Sequence, residues 1–428
     1  MNPALSRSRA ATAFQVLKEA LPAVLEKGSP ADAFLARKFR LDKRFGSKDR
    51  RYIRDVVFAY FRWRGAILAA LPEEPEEPSL TGVITALIAE HFPEEQLAGW
   101  MELNGSSFSI AETALQGAVP FERIRLFTGK EIVPGSVLPE WSRSLSDPRF
   151  SDWFQRRPCI WLRSSVPDLP DLLAEYGIEI VPHDTIPNAF RCLTQNVNLY
   201  NLKEYRAGLF EVQDLSSQCI GLMASPSPGE TWWDSCAGAG GKTLQLLSMM
   251  NGNGKLLSSD VSPVRLEELK KRTERLGLSI HTEVHDLIKP LPRRMLEKFD
   301  GVLVDAPCSS SGRWRRNPET RWQSSAERVK EFAELQSKIL ENASGAVKPG
   351  GVLVYATCSI FAEENEKQIE KFLNLHFDFA LDEKGCILPN DKKSGMLRVS
   401  PWDADCDASF AARLRRKKLP EDASPPQR

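Results

Sequence analysis

Asp234-Ser-Cys-Ala-Gly-Ala-Gly-Gly-Lys-Thr243 follows the short run Thr-Trp-Trp (231–233) and leads into a helical stretch at about 241–251. The succession of strand, glycine turn and helix opens a βα unit. Gly238, Gly240 and Gly241 let the backbone turn sharply and approach a ligand closely. The helix start then offers free N–H groups to an anion. Two nucleotide motifs nearly fit. A Walker loop needs glycine at 236, where Cys236 stands, and a GxGxxG loop begun at Gly238 needs glycine at 243, where Thr243 stands. A tight strand-to-helix turn without a ligand is the plain alternative.

From this unit outward the chain keeps alternating. Strands are expected at Thr231–Asp234, Leu256–Asp260, Ile280–Val284, Gly301–Asp305 and Val352–Ala356, with helices at about 241–251, 262–276, 324–347 and 362–375. Runs such as GVLVD and GVLVYA are apolar throughout, as in strands covered on both faces. The pattern predicts an α/β domain over 223–416 with a parallel, doubly wound sheet. Ligands of such sheets bind at the carboxyl ends of the strands.

The residues at those ends carry chemistry. Asp260 closes the second strand, where an acid commonly holds ribose hydroxyls, although it is also placed to cap the helix opened by Ser262-Pro263. Asp286 follows the third strand and fits a wall around an adenosine-like ligand. The fourth strand ends in Asp305-Ala-Pro-Cys-Ser-Ser-Ser-Gly312 and the fifth in Tyr355-Ala-Thr-Cys-Ser359. Cys308 and Cys358 thus emerge from neighbouring strands into the crevice, where an apolar filler is not needed. Cys159, Cys192, Cys219, Cys386 and Cys406 read instead as small inert hydrophobes.

Two further domains precede this one. Residues 1–130 read as all-α, with apolar stripes at Ala10, Phe14, Leu17, Leu21 and Val24, then Ile53, Val56, Val57, Tyr60, Ile67 and Leu68, and helical pattern through about Ala114. Residues 131–222, with eight prolines and apolar runs at Ile160–Leu162, Gly177–Val181 and Asn196–Leu199, suggest a small α+β domain. The tail, 417–428, is polar and proline-rich, as disordered segments are.

Composition narrows the function. The net charge is zero, yet residues 1–64 carry 15 Lys/Arg against 6 Asp/Glu, a footprint suited to nucleic acid or simply a solvated face. The longest uncharged stretch, Leu215 to Gly229, is too short and too rich in Ser and Pro to span a membrane. The opening MNPALSRSRAATAF lacks the apolar core of a signal peptide. Eight cysteines without a CxxC pair, among five scattered histidines, argue against a disulfide framework and a zinc site. Free thiols, the cytoplasm, no metal and a monomer are the expectations.

DSCAGAGGKT, Asp260, Asp286, DAPCSSSG and TCS, in this order, together resemble the RNA cytosine-5 methyltransferase family. FEVQDLSSQ (210–218) and SFAARLRR (409–416) resemble its flanking segments, and GSKDRRYIRDVVFAYFRWR (46–64) resembles a NusB-like helical domain. The family's usual Ala-Ala-Pro-Gly-Gly-Lys reads here Ala237-Gly-Ala-Gly-Gly-Lys242, a looser loop that keeps the lysine and both final glycines. The resemblance implies a Rossmann-like class I methyltransferase sheet and S-adenosylmethionine as methyl donor. The backbone of Cys236, Ala237, Gly238, Ala239, Gly240, Gly241 and Lys242 would hold the methionine part, Asp260 the ribose and Asp286 the adenine amino group, with Asp305 beside them. It further implies that the Cys358 thiolate adds to cytosine C6, that Asp305 holds the N3 edge and that Cys308 assists product release. Lys242 is a candidate to favour the thiolate.

RNA is the implied partner. The NusB-like segment favours 16S ribosomal RNA, and transfer RNA is the alternative substrate. Arg313, Trp314, Arg315, Arg316, Arg321 and Trp322, directly after the catalytic loop, suit phosphate and unstacked bases, or else a solvated helix entry. A non-catalytic ribosome-assembly factor on the same fold is the competing class, and a P-loop nucleotidase is a weaker one.

Overall fold

In the computed structural model, residues 3–73, 76–105, 117–195, 197–383 and 394–418 are described. They fall into two units, residues 1–157 with 313–326, and residues 158–312 with 327–428. The first is helical. Its helices include Pro3–Leu25, Ala31–Leu41, Ser47–Ala70, Leu80–Ala89 and Glu94–Leu103. The expected stripes are largely its core. Ala10, Leu17 and Val24 are fully buried, as are Val56 and Val57, whereas Leu68 turns 43% of its surface to solvent. Ser79 caps Leu80–Ala89 by accepting from the Gly82 N–H at 3.0 Å.

This unit reaches Arg157, past the division expected at residue 130, because the short helices Glu140–Arg143 and Phe150–Trp153 pack within it. It also takes in 313–326, where Trp314 meets Trp141 and Phe154 edge to face at 6.1 and 6.0 Å. The helical pattern expected toward Ala114 runs into residues 106–116, which lie outside the described ones.

The second unit begins with a small sheet of β1 (Ile160–Arg163), β2 (Ile180–Pro182), β3 (Ala189–Cys192) and β4 (Glu211–Val212), in the order β2-β3-β1-β4. Its third long strand is Ala189–Cys192 rather than Asn196–Leu199. Asn196 lies outside the described residues, and Leu199 opens a 3-10 turn whose side chain joins the small core with Leu162, Leu173 and Phe210.

The large sheet holds β5 (Thr231–Asp234), β6 (Lys255–Asp260), β7 (His281–Val284), β8 (Phe299–Asp305), β9 (Val347–Thr357), β10 (Phe379–Leu381), β11 (Met396–Val399) and β12 (Ser409–Arg416). The order is β10-β12-β9-β8-β5-β6-β7, with β11 also on β12. β5 to β9 are parallel, but β12 runs antiparallel to β9, so the sheet is mixed where a parallel one was expected. Trp232 and Trp233 show the double winding in two residues. Trp232 joins the core with Leu215, Leu246 and Val354, and Trp233 joins the opposite one with Leu340, Tyr355 and Phe372. Strand order reverses between β5 and β8, the switch point where such sheets bind ligands. No helix among the described residues is long and apolar enough to cross a membrane.

Candidate active site

The glycine loop leaves β5 and enters the helix Gly241–Met249. Gly240 has φ +88°, and a Cβ there would sit 2.0 Å from Leu269 Cδ1, so both backbone and space require glycine. Gly238 has φ +53° and its N–H donates to Asp260 Oδ2 at 2.9 Å. A Cβ at Gly238 or Gly241 would meet nothing within 4 Å, which leaves open space over the loop.

Asp260 ends β6, and its other oxygen accepts from the Ser262 N–H at 2.8 Å. The helix cap is Ser262, whose Oγ accepts from the Arg265 N–H, so Asp260 is free of the capping role weighed from sequence. Asp286, after β7, accepts from the Ile288 N–H at 3.2 Å and keeps about a third of its side chain exposed.

Beneath the loop lies Asp234, fully buried. Thr243 Oγ1 donates to its Oδ2 at 2.6 Å, and Oδ1 has no hydrogen-bond partner. Burial first, then the charges of Asp305 and Asp260, raises this carboxyl to about 7 against the Thr243 hydrogen bond and the Lys242 charge. Lys242, the second residue of the helix, reaches Asp305 Oδ2 with Nζ at 2.6 Å. Burial works to lower the Lys242 pKa, but Asp305, Cys358 and Asp234 outweigh it and hold the ammonium protonated. Burial also pushes the Cys236 thiol far up, so that it stays neutral beside these acids.

Cys308 and Cys358 meet across β8 and β9 with their sulfurs 3.4 Å apart. Two thiolates do not persist at that distance. The hydrogen bond to Cys358, then burial, then the charges of Cys358 and Glu364 raise Cys308 well above the usual thiol range, so the pair holds at least one proton. Ser310, at φ +55°, lets the loop double back so that Ser310 Oγ stands 3.6 Å from Cys358 Sγ. The loop then closes on Gly312, whose N–H donates to the Cys358 carbonyl at 2.8 Å and whose own carbonyl accepts from Ala408. A Cβ at Gly312 would lie 2.1 Å from the Ala408 oxygen.

The crevice therefore gathers Cys236–Lys242, Asp260, Asp286, Asp305, Cys308 and Cys358 along one sheet edge. It does not gather the Arg/Trp segment. Trp314, Arg315 and Arg321 are buried in the helical unit, where Arg315 donates to the carbonyls of Arg156 and Arg157 and Arg321 to those of Val137 and Trp314. Arg313 alone of the six is exposed. Cationic groups that satisfy carbonyls read in sequence like cationic groups that hold phosphate.

Among the other cysteines, Cys192, Cys219 and Cys406 are buried as expected, Cys386 lies outside the described residues, and Cys159 is a half-buried donor to Asp405 at 2.7 Å rather than an apolar filler. Sequence reading gave no role to Asp234 or Glu364. The first was quoted as the start of the glycine motif, and the second resembles an ordinary acid at a helix start. No group of three or more His, Cys, Asp or Glu among the described residues is placed to hold a metal ion.

Known proteins resemble this chain in sequence and in fold. Residues 222–415 match the family described as 16S rRNA methyltransferase RsmB/F. The ribosomal RNA small subunit methyltransferase B of Yersinia enterocolitica is 34% identical over 289 residues, 64% of this chain. The match spans 66% of that relative's length, a little under two thirds. Among solved structures, the protein designated PH0851 aligns over 94% of this chain and 98% of its own, with TM-score 0.71 and 24% identity. NSun6 from Pyrococcus horikoshii, solved with SFG, aligns over 65% of this chain and 97% of its own, with TM-score 0.58 and 19% identity. These two likenesses are likenesses of fold.

Proposed function

We propose, from the premise that residues 222–415 form a methyltransferase domain of the RsmB/F family, that this chain methylates C5 of a cytosine in RNA, with 16S ribosomal RNA as substrate and S-adenosylmethionine as donor. The observation that carries the reading is the pair of sulfurs 3.4 Å apart beside Asp305, at the mouth of a glycine loop. The residues fit the cofactor. There is open space over Gly238 and Gly241, an unpartnered oxygen on buried Asp234, and Asp260 and Asp286 along the edge where ribose and adenine would lie. The same fold in NSun6 holds SFG, an analogue of S-adenosylmethionine. When bound, that cofactor supplies an electrophilic methyl group.

The chain's own residues do the rest. Cytosine C5 is a poor nucleophile, and a thiolate adding to C6 turns it into an enamine carbon. Cys358, the cysteine of the Thr-Cys-Ser segment that resembles the family's nucleophile, forms that bond, and Cys308 stands 3.4 Å away as its partner. Lys242 lies near enough for its charge to favour the Cys358 anion. Asp305, oriented by Lys242, holds the N3 edge of the ring. Once Cys358 is bound to carbon its negative charge is gone, and with it the largest influence that kept Cys308 protonated. After C5 has taken the methyl group, Cys308 gives its proton to solvent and its thiolate takes the C5 proton; the C5=C6 double bond re-forms as the C6–S bond breaks, and Cys358 leaves as the thiolate. The basic helices of residues 1–64 offer phosphate contacts to RNA. The chain acts as a monomer in the cytoplasm, without a metal.

The test is methyl transfer by the purified protein to 16S ribosomal RNA, with bisulfite mapping of the product. A 5-methylcytosine that disappears with Cys358→Ala supports the reading. A protein that binds this RNA and transfers no methyl group sinks it in favour of an assembly factor, and methylation confined to transfer RNA overturns the substrate.

A further inference from the structure

Glu364 lies on the turn Ala362–Glu364, six residues past Cys358, and is fully buried. A buried carboxylate is costly unless it is paired or hydrogen-bonded. No ion pair among the described residues involves it, and four donors surround it instead. Oε1 accepts from the Ser309 N–H at 2.8 Å and from Gln336 Nε2 at 3.0 Å, while Oε2 accepts from Ser309 Oγ at 2.6 Å and from Ser359 Oγ. These partners are not scattered. Ser309 directly follows Cys308, and Ser359 directly follows Cys358. Gln336 Nε2 also donates to the carbonyl of Pro307, the residue before Cys308, at 2.9 Å. Ser311 Oγ completes the link, 3.0 Å from Ser309 Oγ and 3.2 Å from Ser359 Oγ.

We propose that Glu364 is a positioning residue, whose carboxylate registers the Cys308 loop against the Cys358 loop and so fixes the distance between the two sulfurs. Neither loop belongs to a strand at this point, and the backbone hydrogen bond from the Gly312 N–H to the Cys358 carbonyl ties them only at the far end of the Cys308 loop, four residues past the sulfur. A carboxylate suits the task because it accepts several hydrogen bonds and donates none. Its backbone is held as well, with Tyr355 OH donating to the Glu364 carbonyl at 2.6 Å. Glu364 touches neither ring nor cofactor and acts through the two serines. The catalytic consequence rests on the reading of Cys358 as nucleophile and Cys308 as its partner, whereas the spacing itself is measurable without catalysis.

The ruler is a disulfide. Diamide takes two electrons and two protons from neighbouring thiols, is reduced to the hydrazine and leaves an S–S bond, and the linked Cys308–Cys358 peptide is quantified by mass spectrometry. In the wild-type protein the link forms readily. Glu364→Ala slows it about tenfold or more, since misplacement by an ångström is costly for reacting groups. Glu364→Gln restores most of the rate, because the amide keeps one acceptor and the serine hydroxyls can turn to accept from its NH2 group. Affinity for S-adenosylmethionine is unchanged in both variants, and Glu364→Ala lowers kcat for methyl transfer while leaving KM for RNA nearly unchanged. If Glu364→Ala does not fold, the double variant Ser309→Ala, Ser359→Ala removes both side-chain links and takes its place with the same readings. A folded Glu364→Ala protein that cross-links at the wild-type rate overturns the proposal. A wild-type protein that cross-links but transfers no methyl group overturns the reaction and leaves the clamp standing.

Discussion

Lys242 and Asp305 face each other across 2.6 Å, one on the helix that follows the glycine loop and the other at the end of β8. The pair ties the glycine loop's helix to the end of β8. It also sets a cation near Cys358.

Lys242→Met should therefore damage two things at once. Asp305 loses its partner, and the Cys358 anion loses a favourable charge. A hydrogen bond to a charged group contributes ~1.5–3 kcal/mol, so the single-turnover rate should fall by about 10- to 150-fold. The rise of iodoacetamide labelling at Cys358 with pH should move to higher pH. An unshifted labelling curve would leave Lys242 with Asp305 alone.

The two cysteines should fail at different steps. Cys358→Ala forms no covalent adduct with RNA, whereas Cys308→Ala attacks and methylates but releases product slowly. Denaturing electrophoresis then shows a protein–RNA species for Cys308→Ala only. The opposite gel would exchange the roles of the two sulfurs, which lie 3.4 Å apart, and leave the reaction class intact.

Asp260→Ala removes the acceptor of the Gly238 and Ser262 N–H groups and the expected ribose contact together. The dissociation constant for S-adenosylmethionine should rise roughly 10- to 150-fold, the equivalent of one charge-assisted hydrogen bond. Titration calorimetry reads it directly. Unchanged affinity would mean that Asp260 serves only to pin the loop.

Asp234 gives the protein a pH dependence of definite sign. Its folded pKa, about 7, lies above the ordinary carboxyl value, so the folded state holds a proton that the unfolded state has lost. Its contribution to stability is present at low pH and declines as pH rises from about 4 through 7, with a slope approaching ~1.4 kcal/mol per pH unit. Asp234→Asn, which stays neutral, should lose less stability over that window. Denaturant unfolding of both proteins at pH 5, 6 and 7 measures the difference, and parallel pH profiles would refute the assignment.

Gly312→Ala is a small change with a large expected effect. The added Cβ would lie 2.1 Å from the Ala408 oxygen and 2.9 Å from the Cys358 oxygen. Overpacking of this kind costs about 1–3 kcal/mol, and here the strain falls on the loop that holds Cys308. Thermal unfolding should drop by a few degrees and methyl transfer should fall further than stability does. Wild-type activity in this variant would show that the loop gives way freely.

The carboxyl edge of the sheet was legible because its signals are local. A strand, a turn and a reactive residue stand together in DSCAGAGGKT, DAPCSSSG and TCS, and each fixes its own neighbourhood. What escaped depends on distant partners. Glu364 is one acid in Ala-Glu-Glu-Asn-Glu, and nothing in that run says that it faces Ser309, 55 residues away. Arg321 and Trp314 were misassigned for the same reason, since their targets are carbonyls and rings of residues 137–154. The antiparallel course of β12 escaped because a strand's residues do not state its direction.

The segment 313–326 leaves the catalytic loop at Gly312, builds into the helical unit and returns at residue 327. The chain therefore crosses between the units three times, and no single cut separates them. A fragment begun at residue 158 would keep Trp314, Arg315 and Arg321 while losing the rings and carbonyls of residues 137–157 that enclose them. Such a truncation would expose a greasy, cationic flap and invite aggregation. A fragment confined to the second unit has to be engineered by replacing 313–326 with a short polar bridge.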